Sequence, residues 1–273
     1  MAGSAGQRSL GLAFGIQRTL DTLGSVVGPL ITFGLLWVWT THPNRYREVF
    51  LVAGVVAFIP LVIILWRVRE RRTVVAKQQL SLAVLRGPFA GFLAVMLLFT
   101  LGNSSDAFLI LRSQNVGVPA TLIPIVYAVF NLVSAATAIP AGRLSDRIGR
   151  RRMIVYGWLI YALTYLGFAL ATASWMIWVL FAVYGLFYAL TEGTGKALVA
   201  ELVPEASRGT AYGLYNTAIG IMALPASLIA GILWERISPA APFAFGAILA
   251  LLAVVALRLV PQMSPSSGGR SVI

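Results

Sequence analysis

The chain has 273 residues, of which 59% are hydrophobic and 11% charged, and its mean hydropathy is +0.85. Water-facing domains carry about 25% charged residues, so this composition excludes a soluble globular protein and predicts a membrane protein. The formal net charge of +12 is concentrated between apolar runs, which favours anionic lipid headgroups over nucleic acid as the partner, and the lack of cysteine excludes disulfides.

Eight apolar segments are long enough to cross a bilayer as helices, since a span needs about 20 mostly apolar residues. Only helices and closed barrels satisfy their backbone hydrogen bonds in lipid, and these segments lack the alternation of barrel strands. The sequence therefore predicts an all-α integral membrane protein. In chain order the spans are residues 12–40, 49–66, 87–111, 118–141, 153–172, 175–200, 209–234 and 237–258.

The cationic side chains are distributed unevenly between the two predicted membrane faces. Fifteen of the 21 lysines and arginines lie at one face and four at the other, while Arg18 and Lys196 fall within spans. Because positive loops stay inside, both termini are expected to be cytoplasmic in a multi-pass protein of the cell (inner or plasma) membrane. Residues 67–87 form a basic linker at the same face, and residues 261–273 are expected to be a disordered tail.

Ionisable residues inside a span cost several kcal/mol unless they are paired or hydrated, so they are functional candidates. Arg18 and Asp21 lie three residues apart on the first span, and Glu192 and Lys196 lie four apart on the sixth. Each pair either neutralises itself on one helix face or takes part in binding. Asp106 in the third span has no cation near it in sequence, which favours a functional carboxylate.

Three polar side chains lie on one face of the fourth span: Tyr127, Asn131 and Ser134. They either line a polar path or hydrogen-bond a neighbouring helix. Asn103 precedes Asp106 in the third span and is a further candidate for this polar region.

The segment Gly142–Met153 reads GRLSDRIGRRRM and joins the fourth and fifth spans, as a short loop by prediction. Its pattern G-x-L-S-D-R-x-G-R-R resembles the signature loop of the major facilitator superfamily of transporters. The resemblance implies that Asp146 caps the start of the first span and that Arg150 pairs with Glu201, closing an inner gate. The residues assigned to this gate are Gly142, Asp146, Arg147, Gly149, Arg150, Arg151 and Glu201.

The resemblance also fixes a register. If this segment is the second copy of the signature loop, the eight spans correspond to helices 5–12 of a twelve-helix fold that lacks its first four. Residues 1–66 are then a remnant of an N-terminal bundle, 67–87 the central loop and 88–260 a C-terminal six-helix bundle. Gly24, Gly28 and Pro29 resemble the glycine–proline motif of helix five in exporters, and this register predicts close packing of both glycines against residues 134–138.

The resemblance implies a secondary active transporter, not an enzyme, that moves a small molecule by alternating access without a cofactor or metal. Proton-coupled efflux is the expected mode, with the small-molecule substrate, protons and membrane lipids as partners. Two alternatives stay open: a non-transporting helical protein that binds a membrane partner, and a lipid-modifying membrane enzyme. The candidate substrate or ion ligands are Arg18, Asp21, Asn103, Asp106, Tyr127, Asn131, Glu192 and Lys196.

Overall fold

The structure is a computed structural model that describes residues 10–39, 44–67, 82–85 and 87–260, with side chains in the first helix described from Gly24 onward. Most of the predicted linker and the whole predicted tail lie outside these residues. The described part of the chain contains nine α-helices and no strands. They are α1 (Leu10–Val38), α2 (Arg45–Arg67), α3 (Pro88–Gly102), α4 (Ala107–Asn115), α5 (Ile123–Ile148), α6 (Arg150–Leu170), α7 (Ser174–Leu202), α8 (Arg208–Arg236) and α9 (Ala241–Leu259).

Seven helical segments are long and apolar enough to cross a membrane, and the described part of α1 is apolar as well. The prediction of an all-α membrane fold is confirmed, and the helices follow the order of the predicted spans. The fifth and sixth predicted spans, residues 153–172 and 175–200, are separated close to where the sequence predicts, because α6 ends at Leu170 and α7 begins at Ser174.

The third predicted span is not one continuous helix. α3 ends at Gly102 and α4 begins at Ala107, with Asn-Ser-Ser-Asp between them. A helix through residues 87–111 was the wrong expectation, because short polar side chains compete for backbone hydrogen bonds. Here the backbone N–H of Ala107 donates to Ser105 Oγ at 3.3 Å, and the N–H of Asn103 donates to Thr100 O.

The signature segment is not a loop, contrary to the prediction. α5 continues to Ile148 and α6 starts at Arg150, so Gly149 alone separates them. Gly149 has φ of +94°, a conformation that glycine adopts without steric cost, and it reverses the chain in one residue. The basic residues of this segment are therefore held on helix ends with fixed directions.

The core is formed mainly by buried aromatic and aliphatic side chains of α3, α5, α6, α7 and α9, and Leu109 of α4 and Ala211 and Tyr215 of α8 are buried in it as well. α1 packs along α5 and also contacts α7, while α2 packs against α1 and leaves most of its apolar surface exposed. We call the end of the bundle where α5 meets α6 the basic end. α6 finishes at the opposite end.

The predicted contact between the first and fourth spans is present, but its two glycines do not make it. Asn131 Nδ2 of α5 donates to Ser25 O of α1 at 3.0 Å. A methyl group placed on Gly24 or Gly28 would meet nothing within 4 Å, so the expected close approach at these glycines is wrong. Both residues lie on an exposed side of α1.

Other glycines allow the close approaches in this fold. A Cβ on Gly185 of α7 would lie 2.4 Å from Phe130 O of α5. A Cβ on Gly246 of α9 would lie 2.5 Å from Gly102 O, at the end of α3. The first contact brings α7 close to α5, and the second brings α9 close to the end of α3, where the third predicted span is interrupted.

Candidate functional site

The break between α3 and α4 places unpaired helix-end groups inside an apolar bundle. Two buried tyrosines of α6 satisfy some of them. Tyr161 Oη lies 3.0 Å from Gly102 O and 3.3 Å from Asn103 Oδ1, and Tyr165 Oη lies 3.4 Å from the same Asn103 oxygen. The tyrosine hydroxyls therefore donate to oxygens that the interrupted helix leaves exposed.

Asp106 is the ionisable residue of the break. It is half-buried and stands immediately before α4, where the partial positive charge of a helix N-terminus favours a carboxylate. Tyr184 of α7 donates to Asp106 Oδ1 at 3.1 Å, and Tyr127 of α5 donates to Asp106 O at 3.4 Å. Among the side chains that the structure describes, no lysine or arginine lies within ion-pair distance of this carboxylate.

Aromatic rings form the surroundings of Asp106. Phe130 of α5 stacks on Tyr184 with centroids 5.4 Å apart and meets Tyr188 edge-on at 5.2 Å. Tyr184 and Tyr188 themselves meet at 5.2 Å, while Tyr127 lies 5.4 Å from Phe181. The faces of such rings carry negative potential, so the wall attracts cations as well as apolar groups.

The remaining predicted ligands lie apart from the break or outside the described side chains. Glu192 and Lys196 pair along α7 at 3.5 Å, and both are half-exposed. Asn131 donates to backbone oxygens of Ser25 and Tyr127, so it ties α5 to α1. Arg18 and Asp21 belong to the first part of α1, residues 10–23, of which only the backbone is described.

Arg150 is the centre of an ion-pair cluster at the basic end. Its Nη1 lies 2.9 Å from Glu201 Oε2 and 3.4 Å from Ala197 O, and its Nη2 lies 3.6 Å from Asp146 Oδ1. The pair expected between Arg150 and Glu201 is present, so one guanidinium joins α5, α6 and α7. The contact expected between Asp146 and the start of α1 lies outside the described residues.

Arginines also cap the carboxyl ends of helices at the basic end. Arg151 donates to Leu257 O and Val260 O at the end of α9, and Arg208 donates to Ala200 O near the end of α7. Cations at these positions satisfy free carbonyls and oppose the negative helix end. Arg147 of the signature segment is exposed instead.

Arg112 has a similar role at the opposite end. The charge pattern places it in an outer loop, yet it is buried in α4. Its guanidinium donates to Phe168 O at 3.0 Å, Ala169 O at 3.2 Å and Ala171 O at 2.8 Å, and to Asn115 Oδ1 at 2.6 Å. Arg112 thus fastens α4 to the carboxyl end of α6.

A profile of the Major Facilitator Superfamily matches residues 89–271. The chain belongs to this superfamily. It is 37% identical over 262 residues to an uncharacterized MFS-type transporter of Methanocaldococcus jannaschii, covering 93% of this chain and 65% of the relative. It is 27% identical over 275 residues to an uncharacterized protein of Mycobacterium tuberculosis, covering 94% and 64% respectively.

Over a shorter stretch, this facilitator-superfamily chain is also similar to a multidrug resistance protein, MdtH, of Cronobacter sakazakii. The two are 32% identical over 101 residues, which is 37% of this chain and 25% of that protein. The chain spans slightly less than two thirds of the length of the Methanocaldococcus and Mycobacterium relatives. The expected family and multi-pass membrane character are thereby confirmed.

Sequence reasoning missed most of the tyrosines at the break of this facilitator-superfamily chain. Tyr161 and Tyr165 are four residues apart on α6, and Tyr184 and Tyr188 are four apart on α7. Such spacing puts each pair on one helix face, a signal that was available in the sequence. Which helix face meets Asp106 depends on tertiary packing.

Proposed function

We propose that this chain acts as, or within, a secondary transporter that moves a small molecule across the membrane by alternating access, with its central binding site at the break. The observation that supports this most strongly is Asp106, a half-buried carboxylate at an interrupted helix, held by Tyr184 within an apolar bundle. Family membership supports a transporter; the site and its coupling are our proposal.

Interrupted helices are common at transporter binding sites because their ends have free backbone N–H and C=O groups with partial charges. In a continuous helix these groups are hydrogen-bonded to one another. Backbone carbonyls at the end of one half-helix and N–H groups at the start of the next can meet a ligand or ion. In this chain α3 presents its carboxyl end and α4 its amino end to residues 103–106. Irregular backbone at membrane depth is tolerated where it lines such a site.

Asp106 is the proposed coupling group. A carboxyl group in this position can carry a proton across the membrane when the site changes its exposure from one face to the other. Glu192 has Lys196 beside it and is therefore assigned a secondary role in binding. The direction of transport that we propose is efflux, with proton entry as the driving force.

The cluster around Arg150 is the proposed gate at the basic end. Glu201 on α7 and Asp146 on α5 meet at one guanidinium, so movement of α5 against α7 would separate charges that are now paired. We further propose that residues 1–66 belong to one helical bundle and residues 88–260 to a second, with alternating access arising from motion between the bundles and the cluster opening as α5 and α7 shift within the second bundle.

Reconstitution into proteoliposomes tests the proposed function. The full chain should drive accumulation or release of a fluorescent lipophilic dye when a pH gradient is imposed, and Asp106→Asn should abolish that response. Glu205→Gln is the matched control, because Glu205 is an exposed acid beside Arg208 and should leave transport unchanged. Equal, gradient-driven transport by wild type and Asp106→Asn would refute the assignment of Asp106.

A result without dye movement is also informative. If the full chain inserts correctly and shows no gradient-dependent flux for any dye in a panel of cations, anions and neutral compounds, autonomous transport is refuted. The partner-binding alternative would then be favoured.

A further inference from the structure

We infer that the outer surface shared by α6 and α9 binds an anionic diacyl phospholipid, whose phosphate group is held between Arg152 and Arg258 at the basic end. This inference does not use the proposed function, because lipid binding is measurable on the purified chain without any transport. The surface lies on the outside of the bundle, away from the break.

α6 and α9 lie side by side and run in opposite directions. Near the start of α6, Arg151 donates to Leu257 O at the end of α9. Near the end of α6, Phe168 stacks on Phe243 at the start of α9, with ring centroids 5.7 Å apart. The start of α6 and the end of α9 therefore stand at the same level, at the basic end.

Exposed apolar side chains of the two helices form one continuous surface. On each helix they recur at spacings of three, four or seven residues, so they follow a single face. The opposite faces are buried in the core, and on their outer flanks α6 packs against α7 and α9 against α3. The exposed faces are consequently neighbours on the outside of the bundle. They include Tyr156, Leu163 and Leu166 on α6, and Ile248, Leu251 and Val255 on α9.

The size of these side chains favours lipid over another protein helix as the occupant. Membrane helices that pack on one another approach through small residues such as glycine. The glycines of α6 and α9 are used inside the bundle instead, since a Cβ on Gly157 would meet Thr191 of α7 and a Cβ on Gly246 would meet Gly102 of α3. Bulky branched side chains remain outside, where acyl chains can pack between them.

Arg258 is available to a ligand because its usual partners are occupied. A cation in the last turn of a helix normally binds the free carbonyl groups there. In α9 these carbonyls, Leu257 O and Val260 O, accept from Arg151 of the neighbouring helix. Arg258 itself is exposed and has no hydrogen-bond or ion-pair partner among the residues that the structure describes.

Arg152 is available for the same reason. The two arginines before it are engaged, Arg150 with Glu201 and Arg151 with α9, whereas Arg152 is exposed and has no partner in the described part of the chain. Guanidinium groups suit a phosphate because their fixed fork of N–H donors matches two phosphate oxygens. Tyr156, one turn further along the same face of α6, adds an exposed hydroxyl group.

The charge of the basic end favours an anionic headgroup over a zwitterionic one. The arginines of the signature segment, with Arg208 and Arg258, outnumber the described acids of this end, which are Asp146, Glu201 and Glu205. The choline cation of a zwitterionic lipid would add to this positive charge, whereas a glycerol headgroup would not. An anionic lipid of the same leaflet is therefore the complementary partner.

Dioleoylphosphatidylglycerol is the probe that tests this inference, titrated into the detergent-solubilised full chain and followed by native mass spectrometry. Wild type should bind it about 25-fold more tightly than dioleoylphosphatidylcholine, because each arginine that faces an anionic headgroup contributes about fivefold. Glycerol 3-phosphate, which has a phosphate charge without acyl chains, should not bind at the same concentrations.

Three variants locate the binding. Arg152→Gln and Arg258→Gln should each weaken phosphatidylglycerol binding about fivefold, and the double variant should lose the preference over phosphatidylcholine. Arg236→Gln is the matched control, because Arg236 is also exposed in the last turn of a helix but lies at the opposite end of the bundle. All of these variants should unfold in detergent at the wild-type midpoint, which separates loss of lipid from loss of structure.

Wild type alone can overturn the inference. Equal affinity for the two phospholipids would refute it, and binding of glycerol 3-phosphate as tight as that of phosphatidylglycerol would assign the arginines to a free anion. A double variant that unfolds like wild type and keeps the full preference would refute the assignment to Arg152 and Arg258. A stoichiometric protein that copurifies with wild type but not with the double variant, without bound phospholipid, would assign the surface to a protein partner and likewise refute the inference.

Discussion

At the scale of single residues, Gly185 shows how little space separates α5 from α7. A Cβ there would lie 2.4 Å from Phe130 O and 3.2 Å from Ser134 N, both backbone atoms that cannot rotate away. This contact sets the distance between the helices that carry Tyr127 and Tyr184, the two tyrosines that hold Asp106.

Gly185→Ala should therefore destabilise the bundle by about 1–3 kcal/mol, because overpacking forces the backbone apart. The measurement is the thermal unfolding midpoint in detergent. Gly220→Ala is the control, since a methyl group at that helical position meets nothing within 4 Å. An unchanged midpoint for Gly185→Ala would show that α5 and α7 are farther apart than described.

The charge of Asp146 should bias the gate at the basic end. Asp146 lies 3.6 Å from Arg150, and both side chains are mostly buried. Losing a pair of this kind costs about 1 kcal/mol, which is about a fivefold change in a two-state equilibrium. Asp146→Asn should therefore increase labelling of a cysteine placed at Gly213, an exposed position near the start of α8 at the basic end, by up to that factor.

The comparison for this gate is Glu205→Gln, whose charge lies at the same end, pairs with Arg208 and is mostly exposed. Membrane insertion should be equal in both variants. Identical labelling rates in wild type and Asp146→Asn would exclude Asp146 from the gate.

At the scale of helices, Arg112 fastens one half of an interrupted span to its neighbour. It binds three carbonyls at the carboxyl end of α6, where the helix has no further N–H groups to offer. α4 is only nine residues long, so this attachment fixes most of its position.

Arg112→Met should lower the stability of the bundle by about 2–4 kcal/mol, because it leaves several buried carbonyls without donors while keeping the side-chain volume. Arg236→Met is the matched control at an exposed position and should stay within about 0.5 kcal/mol of wild type. Thermal unfolding checks both. Equal midpoints for the two variants would contradict the role given to Arg112.

The helices themselves were largely predictable, and the reasons are physical. Apolar runs of about 20 residues have few alternatives in a bilayer, so the order of spans and the turn before Ser174 follow from hydropathy. The break at residues 103–106 was not predicted, because a hydropathy value averaged over an apolar window of about 20 residues hides four polar residues. The end of α5 and the start of α6 were missed because both helices continue beyond the apolar window as charged segments, which hydropathy assigns to a loop.

The candidate site was predictable only in part. Asp106 and Tyr127 were identifiable as polar residues in apolar spans, and the structure brings them together. Tyr184 and the two tyrosines of α6 required knowledge of which helix faces meet at the break. Arg112 required knowledge of where α6 ends relative to α4, which no local pattern contains.

At the scale of the whole molecule, the two ends of the bundle should face opposite sides of the membrane. The chain has no cysteine, so a single introduced cysteine is a unique label. Thr172 lies between α6 and α7, and Glu205 lies between α7 and α8 at the basic end; both are exposed. A membrane-impermeant reagent should label cysteine at position 172 in intact cells and at position 205 only after permeabilisation.

The positive-inside rule predicts that the basic end faces the cytoplasm, because this end carries the arginines of the signature segment. A cysteine in place of Ser174, two residues after Thr172, is the control and should match Thr172. Labelling of positions 172 and 205 from the same side would contradict the span between them.

The attachment of Arg112 also has a consequence for biosynthesis. Its carbonyl partners follow it by 56 to 59 residues along the chain. At ribosomal rates of about 5–20 residues per second, the guanidinium waits roughly 3 to 12 s before those carbonyls are made. α4 is thus synthesised before the carbonyls that hold it, and its final placement depends on α6 having already crossed the bilayer.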